Sequence, residues 1–319
     1  VRPLFNPRDR LDGPCDDCAV VSDRSSDAWL FTTDRVPADL RAFELGILDS
    51  RGLGTYLARL NLSDIAACGG SPVGLLLNVG LPRDFAFTDF VALCKGFARV
   101  ANKHNCTVLG GDISDSAELS ISATAVGRVP SGQVLSRRGA KPGDTIFVSR
   151  PIGLTPAALA YFVNPGSQLE LKPYDVRRLA RQFTSLEPML DLGRLLAASH
   201  SCSSCMDNTD GIGNCLEELS AASGVAFVIK RRALRFPLLV KRVADGVATD
   251  ILQLALGPGA DFSLVGTLRG QWDSRTATER FGRNLVTIGY VERGAGVFVE
   301  DERRRTVLDV RAWNYFLQS

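Results

Sequence analysis

The sequence has very little histidine. Only 2 of its 319 residues are His, so imidazole-based catalysis and His-rich metal sites have little material to draw on. Neither sign of charge dominates, because 37 Lys and Arg against 35 Asp and Glu leave a net charge of +2. Such a balance favours neither nucleic acid nor a membrane surface as partner. Catalysis, if present, is therefore expected to rest on carboxylates and a hard metal ion.

Long hydrophobic runs are also missing. The longest uncharged stretch lies between Asp64 and Arg83, and four Gly interrupt it, so it predicts a helix end, a loop and a strand rather than a membrane span. Residues 1–10 lack the apolar segment of a signal peptide. We expect a cytoplasmic protein.

Cysteine is too sparse for a disulfide framework, with eight residues in a chain of this length. Four of them form two CxxC pairs, Cys15 with Cys18 and Cys202 with Cys205, and each pair adjoins an acidic segment. The gap between the pairs is far longer than a zinc ribbon allows. Buried reduced thiols are the simpler interpretation, and a four-cysteine zinc site is the alternative if the two segments meet in space.

Strand and helix patterns alternate along the chain. Residues 30–33 predict a strand that leads into Asp34, residues 52–67 a helix that ends at Gly69-Gly70, and residues 107–109 a short strand that runs into Gly110. Residues 179–198 predict one further helix. The alternation continues without an internal repeat and predicts an α/β (α+β) protein of two domains. We place these domains at residues 1–140 and 141–319, joined in the turn-rich segment 136–144.

Five short acidic segments carry the candidate chemistry. We expect most of them in turns at strand ends or beside glycine, where acids converge at one edge of a sheet. Several carboxylates there would suit Mg²⁺ and nucleotide phosphates. The sequence contains neither GxxxxGK[ST] nor a kinase-type GxGxxG, so ATP would bind by another scheme. The five segments are Cys15–Val20 (CDDCAV), Thr32–Asp34 (TTD), Asn61–Asp64 (NLSD), Gly110–Asp112 (GGD) and Met206–Gly211 (MDNTDG).

In this order and spacing, DDCAVV, TTD, NLSDIAACGG, GGD, SRRGAKPGD and DNTDG resemble the bacterial thiamine-monophosphate kinases. That family belongs to the superfamily of aminoimidazole ribonucleotide synthetase, selenophosphate synthetase and the hydrogenase maturation dehydratase. The resemblance covers nearly the whole chain. It implies an N-terminal α/β domain that dimerises through its sheet into a barrel, a C-terminal α/β domain, and the cofactors ATP and Mg²⁺.

The resemblance also implies a role for each matching residue. The metal-binding positions are Asp17, Thr32, Thr33, Asp34, Asp64, Asp112, Asp207 and Asp210, with Asp16 as a supporting acid. The nucleotide-binding positions are Gly111, Asp112, Arg137 and Thr209. Catalysis would depend on Asp207, Asp210 and Arg137. These roles agree with phosphoryl transfer, which needs charge neutralisation and in-line positioning more than covalent chemistry.

The substrate positions depart from the family pattern. Arg41 stands where the family has a His, Ala260 where it has a substrate-binding Glu, and Trp313 where another aromatic lines the pocket. Tyr56 replaces a Lys. Losing a carboxylate and gaining a guanidinium should disfavour the cationic thiazolium of thiamine monophosphate. The sequence thus predicts an ATP-dependent phosphotransferase with a different small-molecule acceptor.

Three alternatives are open. The protein could be a genuine thiamine-monophosphate kinase that has drifted at these positions. It could also be a synthetase or dehydratase that works through a transient phosphate. The third alternative is a nucleotide-binding protein without catalysis, which the retained acids disfavour because unused metal ligands crowd like charges together.

Overall fold

The computed structural model describes residues 11–12, 16–22, 26–37, 40–164, 169–282, 285–302 and 304–309. The chain divides into two compact units. The first comprises residues 1–134 and 183–194, and the second comprises 135–182 and 195–319. The chain therefore returns once to the first unit, which the single boundary placed at 140/141 did not include. None of the described helices is long and apolar enough to cross a membrane.

A six-stranded sheet forms the centre of the first unit. Its strand order is β1-β2-β3-β6-β4-β5, with β4 and β5 parallel and the other neighbours antiparallel. The strands are β1 (Leu11–Asp12), β2 (Ala19–Ser22), β3 (Asp27–Arg35), β4 (Ser71–Leu81), β5 (Thr107–Asp115) and β6 (Ser120–Pro130). The helices of this unit are α1 (Arg41–Glu44), α2 (Ser50–Ala67) and α3 (Phe87–Lys103).

Helix α2 is the core of this unit. It begins at Asp49, whose side chain accepts a hydrogen bond from the N–H of Gly52 at 2.7 Å, and Gly69 with φ of 75° follows its end. Leu57, Leu62 and Ile65 are fully buried. Because almost every residue of α2 is buried, burial rather than an amphipathic pattern stabilises this helix.

Three of the five acidic segments do not lie in turns as predicted. Thr32–Asp34 lies within β3, Asn61–Asp64 lies inside α2, and Gly110–Asp112 lies in the middle of β5. Glycine suggested a turn at GGD, but the pairing of β5 with β4 keeps both glycines extended in the strand. The other two follow the prediction, because residues 16–18 form a bend before β2 and residues 209–210 form a bend after β8.

The second unit contains a seven-stranded mixed sheet of order β13-β12-β9-β11-β7-β10-β8. Only β9 and β12 are parallel among its described pairs, so the fold is α+β rather than the α/β that the strand–helix alternation suggested. Its strands are β7 (Thr145–Val148), β8 (Cys202–Asn208), β9 (Ala226–Lys230), β10 (Ser263–Leu268), β11 (Val286–Glu292), β12 (Gly296–Asp301) and β13 (Arg304–Val307).

The remaining helices follow the second half of the chain. They are α4 (Leu154–Val163), α5 (Pro173–Thr184), α6 (Leu190–Ser199), α7 (Ile212–Ser223), α8 (Leu238–Gly246), α9 (Ile251–Leu256) and α10 (Ser274–Phe281). The single helix predicted over residues 179–198 is wrong. It is two helices, because Pro188 lies in the break between α5 and α6 and cannot continue a helical hydrogen-bond ladder.

The segment that returns to the first unit is fixed there by ion pairs. Glu187 pairs with the guanidinium of Arg59 at 2.7 Å and with Lys103 and His104 at 3.0 Å each. Burial raises the pKa of Glu187, but the hydrogen bonds from His104 and Lys103 and the charge of Arg59 outweigh it and lower the pKa to about 2. Arg59 itself is only 3% exposed, so its buried positive charge needs this carboxylate to balance it.

We therefore expect Glu187→Gln to destabilise the first unit by about 2–3 kcal/mol near neutral pH. A lowered carboxylate pKa stabilises the fold above the unfolded-state pKa, and this contribution is lost as the pH falls towards the folded-state pKa. The difference in unfolding free energy between wild type and variant should shrink from about pH 4.5 towards pH 2, as urea unfolding can measure. Glu44→Gln is the control, because its exposed ion pair with Arg41 should contribute under ~0.5 kcal/mol. A pH-independent difference would contradict the assignment.

Candidate active site

Two buried carboxylates lie together in the first unit. Carboxylate oxygens of Asp17 and Asp64 are within 4.8 Å of each other, and the two residues are 7% and 9% exposed. The hydroxyl of Thr32 donates a hydrogen bond to Oδ2 of Asp64 at 2.5 Å, which ties strand β3 to helix α2. The backbone N–H of Asp17 in turn donates to Oδ1 of Asp16 at 3.1 Å. Three of the predicted metal-binding residues are thus neighbours.

Asn61 holds the same two elements together from one helical turn earlier. Its Oδ1 accepts a hydrogen bond from the backbone N–H of Asp34 at 3.2 Å, and its Nδ2 donates to the carbonyl of Leu57 at 3.0 Å. The side chain is fully buried. The sequence-based prediction gave Asn61 no role. Its place three residues before Asp64 in a helix, on the same face, was the signal that could have identified it.

Cys18 and Cys68 form a buried thiol pair beside these acids. Burial raises the pKa of Cys18 well above its ordinary value, and the hydrogen bond with Cys68 and the charges of Asp64 and Asp17 raise it further. The pKa of Cys68 is also raised. Both thiols are therefore held protonated. Cys15, the other half of the first CxxC pair, lies outside the described residues, so the four-cysteine zinc site stays a prediction.

Asp34 of β3 and Asp112 of β5, two of the predicted metal-binding residues, lie far apart in the sheet. Asp34 is in register with Ala123 of β6, Ala123 with Leu77 of β4, and Leu77 with Gly111 of β5. This row places Asp34 about 14 Å from Gly111, three strand spacings across the sheet. Asp112, one position further along β5, extends from the opposite face of the pleat. Within one chain, Asp34 and Asp112 therefore do not meet, contrary to the expected convergence at one sheet edge.

Thr33 lies next to Asp34 in sequence but serves the sheet. Its hydroxyl donates to the carbonyl of Ala123 at 3.0 Å and accepts a hydrogen bond from the hydroxyl of Thr124 at 3.2 Å. Gly111 is likewise fixed by the sheet, because its backbone at φ of 155° runs against the carbonyl of Leu77. A predicted metal ligand and a predicted nucleotide contact thus also have structural tasks.

The second unit holds the other acidic segment at the end of β8. Asp207 is 2% exposed, and its carbonyl accepts a hydrogen bond from the thiol of Cys215 at 3.3 Å. Asn208 next to it is also buried, and its Nδ2 donates to Oδ1 of Asp261 at 2.9 Å. The backbone N–H groups of Asp261 and Phe262 donate to the carbonyl of Asn208. This network fixes the residues that precede Thr209 and Asp210.

Asp261 is a buried acid that the sequence-based prediction passed over. Burial raises its pKa, while hydrogen bonds from Ser263 and Asn208 and the charge of Arg150 lower it, and the net shift is upward. Phe262 beside it has φ of 53°, a strained conformation for an aromatic residue. The backbone N–H of Phe262 donates to the carbonyl of Asn208 at 3.1 Å, which holds the strained residue in place.

Asp210 follows this loop at the surface and faces Arg137. Partial desolvation raises the pKa of Asp210, the guanidinium of Arg137 lowers it, and the carboxylate of Glu218 raises it, with a net upward shift. Arg137 lies 3.8 Å from Glu218. Thr209, next to Asp210 in the chain, is half-buried. The structure thus brings Arg137 and Asp210 to one part of the second unit, and their roles stay predictions.

The turn-rich segment 136–144 positions Arg137. The carbonyl of Ser136 accepts a hydrogen bond from the N–H of Cys205 on the edge strand β8 at 2.9 Å. Asp144 closes the segment, because its Oδ2 accepts hydrogen bonds from the N–H of Lys141 and the hydroxyl of Ser203. The segment therefore lies along the edge of the sheet and covers it.

The three substrate candidates have different settings. Arg41 is half-exposed and pairs with Glu44 one turn later on α1. Ala260 is partly exposed in the loop that contains Asp261. Trp313 lies outside the described residues. Tyr56, the fourth departure from the family pattern, is buried inside α2.

A hard cation fits the donor set of the first unit. Two buried carboxylates within 4.8 Å of each other repel unless a cation or a proton lies between them. Together with the hydroxyl of Thr32 they offer only oxygen ligands, which Mg²⁺ prefers. Asp17, Asp64 and Thr32 are thus chemically suited to hold Mg²⁺.

Comparison with known proteins shows what this chain is similar to. Residues 15–129 match the family described as AIR synthase related protein, N-terminal domain. The thiamine-monophosphate kinase of Synechococcus elongatus is 27% identical over 94% of this chain and 90% of its own length, and that of Bacillus subtilis is 26% identical over 94% and 92%. A solved structure described as AaThiL complexed with AMPPCP and TMP has a TM-score of 0.80 and 26% identity, and the match covers 96% of this chain and 93% of that one.

These matches extend over both units. The sequence resemblance, the family domain and the structural likeness agree. The chain thus contains an AIR synthase related N-terminal domain at residues 15–129, and over nearly its whole length it is similar to thiamine-monophosphate kinases.

Proposed function

We propose that this protein is an ATP-dependent kinase that transfers a phosphoryl group to thiamine monophosphate. The observation that carries the proposal is the similarity to thiamine-monophosphate kinases along 94% of the chain. The acids at the positions implied by the resemblance are present, and Asp34, Asp64 and Asp112 lie in regular secondary structure. ATP is the phosphoryl donor, consistent with an ATP-analogue complex of a structural relative.

We assign the acids of both units to binding Mg²⁺ and the nucleotide. In the first unit Asp17, Asp64 and Thr32 would hold Mg²⁺, and the tie between β3 and α2 keeps their oxygens in place. When bound, Mg²⁺ supplies charge neutralisation for the transferred phosphoryl group. The other proposed metal-binding residues are Thr33, Asp34, Asp112, Asp207 and Asp210, and the other nucleotide contacts are Gly111 and Thr209.

Arg137 is the proposed phosphate-binding cation of the second unit. Its guanidinium lies 3.8 Å from the carboxylate of Glu218 and interacts with the charge of Asp210. Guanidinium groups bind phosphate through a bidentate contact, which suits Arg137 to a nucleotide phosphate. Asp144 and Ser136 hold the segment that presents Arg137, so the guanidinium is already oriented before the nucleotide binds.

The acceptor differs from the one predicted from the sequence. That prediction depended on a new positive charge at Arg41, but Glu44 pairs with this guanidinium and reduces its repulsion of a cation. The loss of the carboxylate at Ala260 is real, yet neither the described residues nor the relatives favour another acceptor. The relatives are thiamine-monophosphate kinases, which favours the alternative of a genuine kinase of this kind.

An acceptor panel tests this choice. Purified protein with ATP and Mg²⁺ is assayed for ADP formation with thiamine monophosphate, with thiamine, and with a phosphate monoester of a neutral ring. We expect kcat/KM for thiamine monophosphate to exceed that of the others by at least about a hundredfold. Turnover of the neutral monoester alone would instead support the sequence-based hypothesis of a changed acceptor, with Ala260 as its cause.

We also propose that two copies pair through the sheet of the first unit. Strand β5 is an exposed edge strand, with Leu109 and Ile113 exposed by 55% and 62%. Val21, Phe31 and Leu76 are further exposed apolar residues of the same sheet. A long apolar edge strand is a template for pairing with a second chain. A second copy could also supply an acid where one chain leaves Asp34 and Asp112 far apart.

Leu109→Asp/Ile113→Asp should therefore yield monomers, because two buried charges at a shared edge oppose pairing. Light scattering after size exclusion should give twice the 34.4 kDa chain mass for wild type and the single mass for the variant. Leu238→Asp/Val307→Asp is the control, since these residues are exposed by 73% and 69% in the second unit. Equal masses for wild type and the β5 variant would overturn the proposal.

A further inference from the structure

The first unit contains a cavity whose lining includes none of the proposed metal-binding acids. Its volume is about 390 Å³, and it is lined by the loop before α2, the first turns of α2, Arg99 of α3, and Phe183 with Thr184. Arg51 in this cavity is about 20 Å from Asp64 along the axis of α2, at ~1.5 Å per residue. The cavity therefore begins at the opposite end of the helix from the proposed metal site and extends along α2 as far as Arg59, five residues before Asp64.

Three arginines line this cavity, which we name the arginine pocket. Arg51 and Arg59 lie on one face of α2 because they are eight residues apart, and Arg99 faces them from α3. Neither Arg51 nor Arg99 forms an ion pair with a residue in the described part of the chain. The pocket's own acid is Asp49, whose carboxylate is engaged as the cap of α2. The pocket thus has an excess of positive charge.

The positions of these arginines are rigidly fixed. A Cβ on Gly96 would lie 2.0 Å from the carbonyl of Arg51, and one on Gly54 would lie 2.0 Å from the carbonyl of Leu93. The hydroxyl of Thr55 adds a contact to the carbonyl of Gly96 at 3.4 Å. The two helices therefore cross with their backbones in contact, which only glycine allows, and this crossing sets Arg51 against Arg99.

Arg59 is the most deeply buried of the three arginines. It is 3% exposed, and its terminal nitrogens donate to the carbonyl of Thr184 at 2.8 Å and to Glu187 at 2.7 Å. Arg51 and Arg99 are exposed, so their guanidinium groups are the ones that a ligand in the pocket can reach.

We propose that the arginine pocket binds a small polyanion, a molecule with two or more phosphate or carboxylate groups. Guanidinium groups bind both kinds of group through paired hydrogen bonds. The volume suits a small metabolite, and the ring of Phe183 provides an apolar wall. None of the residues that line the pocket is among those proposed to bind the nucleotide or the acceptor, and the inference does not depend on the proposed function.

Calorimetric titration with pyrophosphate and, separately, citrate tests the proposal. The protein and buffers are first passed over a chelating resin, which removes divalent cations without adding a soluble polyanion, so that binding through metal at the acids does not contribute. We expect wild type to bind at least one probe, and Arg51→Gln/Arg99→Gln to bind it at least tenfold more weakly. The probe that binds better tells whether phosphate or carboxylate is preferred. Arg83→Gln/Arg275→Gln is the matched control, because it removes the same charge from side chains exposed by 89% and 85%.

Three results would overturn the proposal. They are absence of binding to wild type at millimolar probe, equal affinity in the pocket variant, and loss of binding in Arg137→Gln, which would assign the probe to the nucleotide site. The acceptor KM of Arg51→Gln/Arg99→Gln should stay within twofold of wild type. A tenfold rise would mean that the pocket is part of the acceptor site. Because the main readout is binding, an inactive protein would refute the proposed function and leave this test intact.

Discussion

Asp64→Asn is expected to lower kcat by about a hundred- to thousandfold while leaving the protein folded. The asparagine keeps the shape of the side chain and an oxygen that can accept the hydrogen bond from Thr32, so the tie between β3 and α2 survives. What is lost is half of the negative charge of the buried pair with Asp17. Steady-state ADP formation at saturating ATP and acceptor measures the effect.

Although Asp64→Asn should be less active, it should be more stable than wild type. Asp17 and Asp64 carry like charges within 4.8 Å in a buried setting, so removing one should stabilise the metal-free protein by about 1 kcal/mol. Mg²⁺ should then raise the melting temperature of wild type more than that of the variant, which keeps only the other proposed metal-binding residues. Asp115→Asn, an exposed acid at the end of β5, is the control and should keep wild-type activity. Full activity of Asp64→Asn would refute the proposed metal site.

Gly111→Ala should destabilise the first unit by about 3 kcal/mol or more and reduce activity with it. The added Cβ would lie 1.6 Å from the carbonyl oxygen of Leu77, a backbone atom that cannot move without breaking the pairing of β4 and β5. The strand must therefore shift or detach, and Asp112 moves with it. Urea unfolding and the hydrogen exchange of β5 amides measure the change.

Gly110→Ala separates steric conflict from backbone strain. Gly110 has φ of 146° in the same strand, but a Cβ added there would have no atom of the described residues within 4 Å. Only the conformational cost of about 1 kcal/mol therefore applies. A Gly111→Ala variant as stable as Gly110→Ala would show that β5 does not pair with β4 as described.

The long helix and the strands around the acids could be predicted from the sequence, since their apolar patterns are strong. The predicted helix 52–67 is found as Ser50–Ala67, and the strand before Asp34 extends over Asp27–Arg35. The setting of the acids could not be predicted. Asp64 follows Asn and Ser, which favour turns and caps, and only burial of the whole helix against the sheet overrides that preference.

The residues that support the site could not be predicted from the sequence either. Glu187 and Asp261 are far along the chain from Arg59 and Asn208, the residues they hold. Such pairs depend on tertiary contacts that no local pattern encodes. The resemblance to a family supplied the ligand positions instead, but it could not show that Asp34 and Asp112 extend from opposite faces of one sheet within a single chain.

Phosphoryl transfer from ATP to thiamine monophosphate is tested most directly with γ-labelled ATP. The protein is incubated with this ATP, Mg²⁺ and thiamine monophosphate, and ADP, thiamine diphosphate and free phosphate are then quantified. We predict one labelled thiamine diphosphate for each ADP and no labelled free phosphate above the enzyme-free blank. Label released as free phosphate with an unphosphorylated product would contradict this prediction in favour of a synthetase, and bound ATP without any ADP would contradict it in favour of a non-catalytic nucleotide-binding protein.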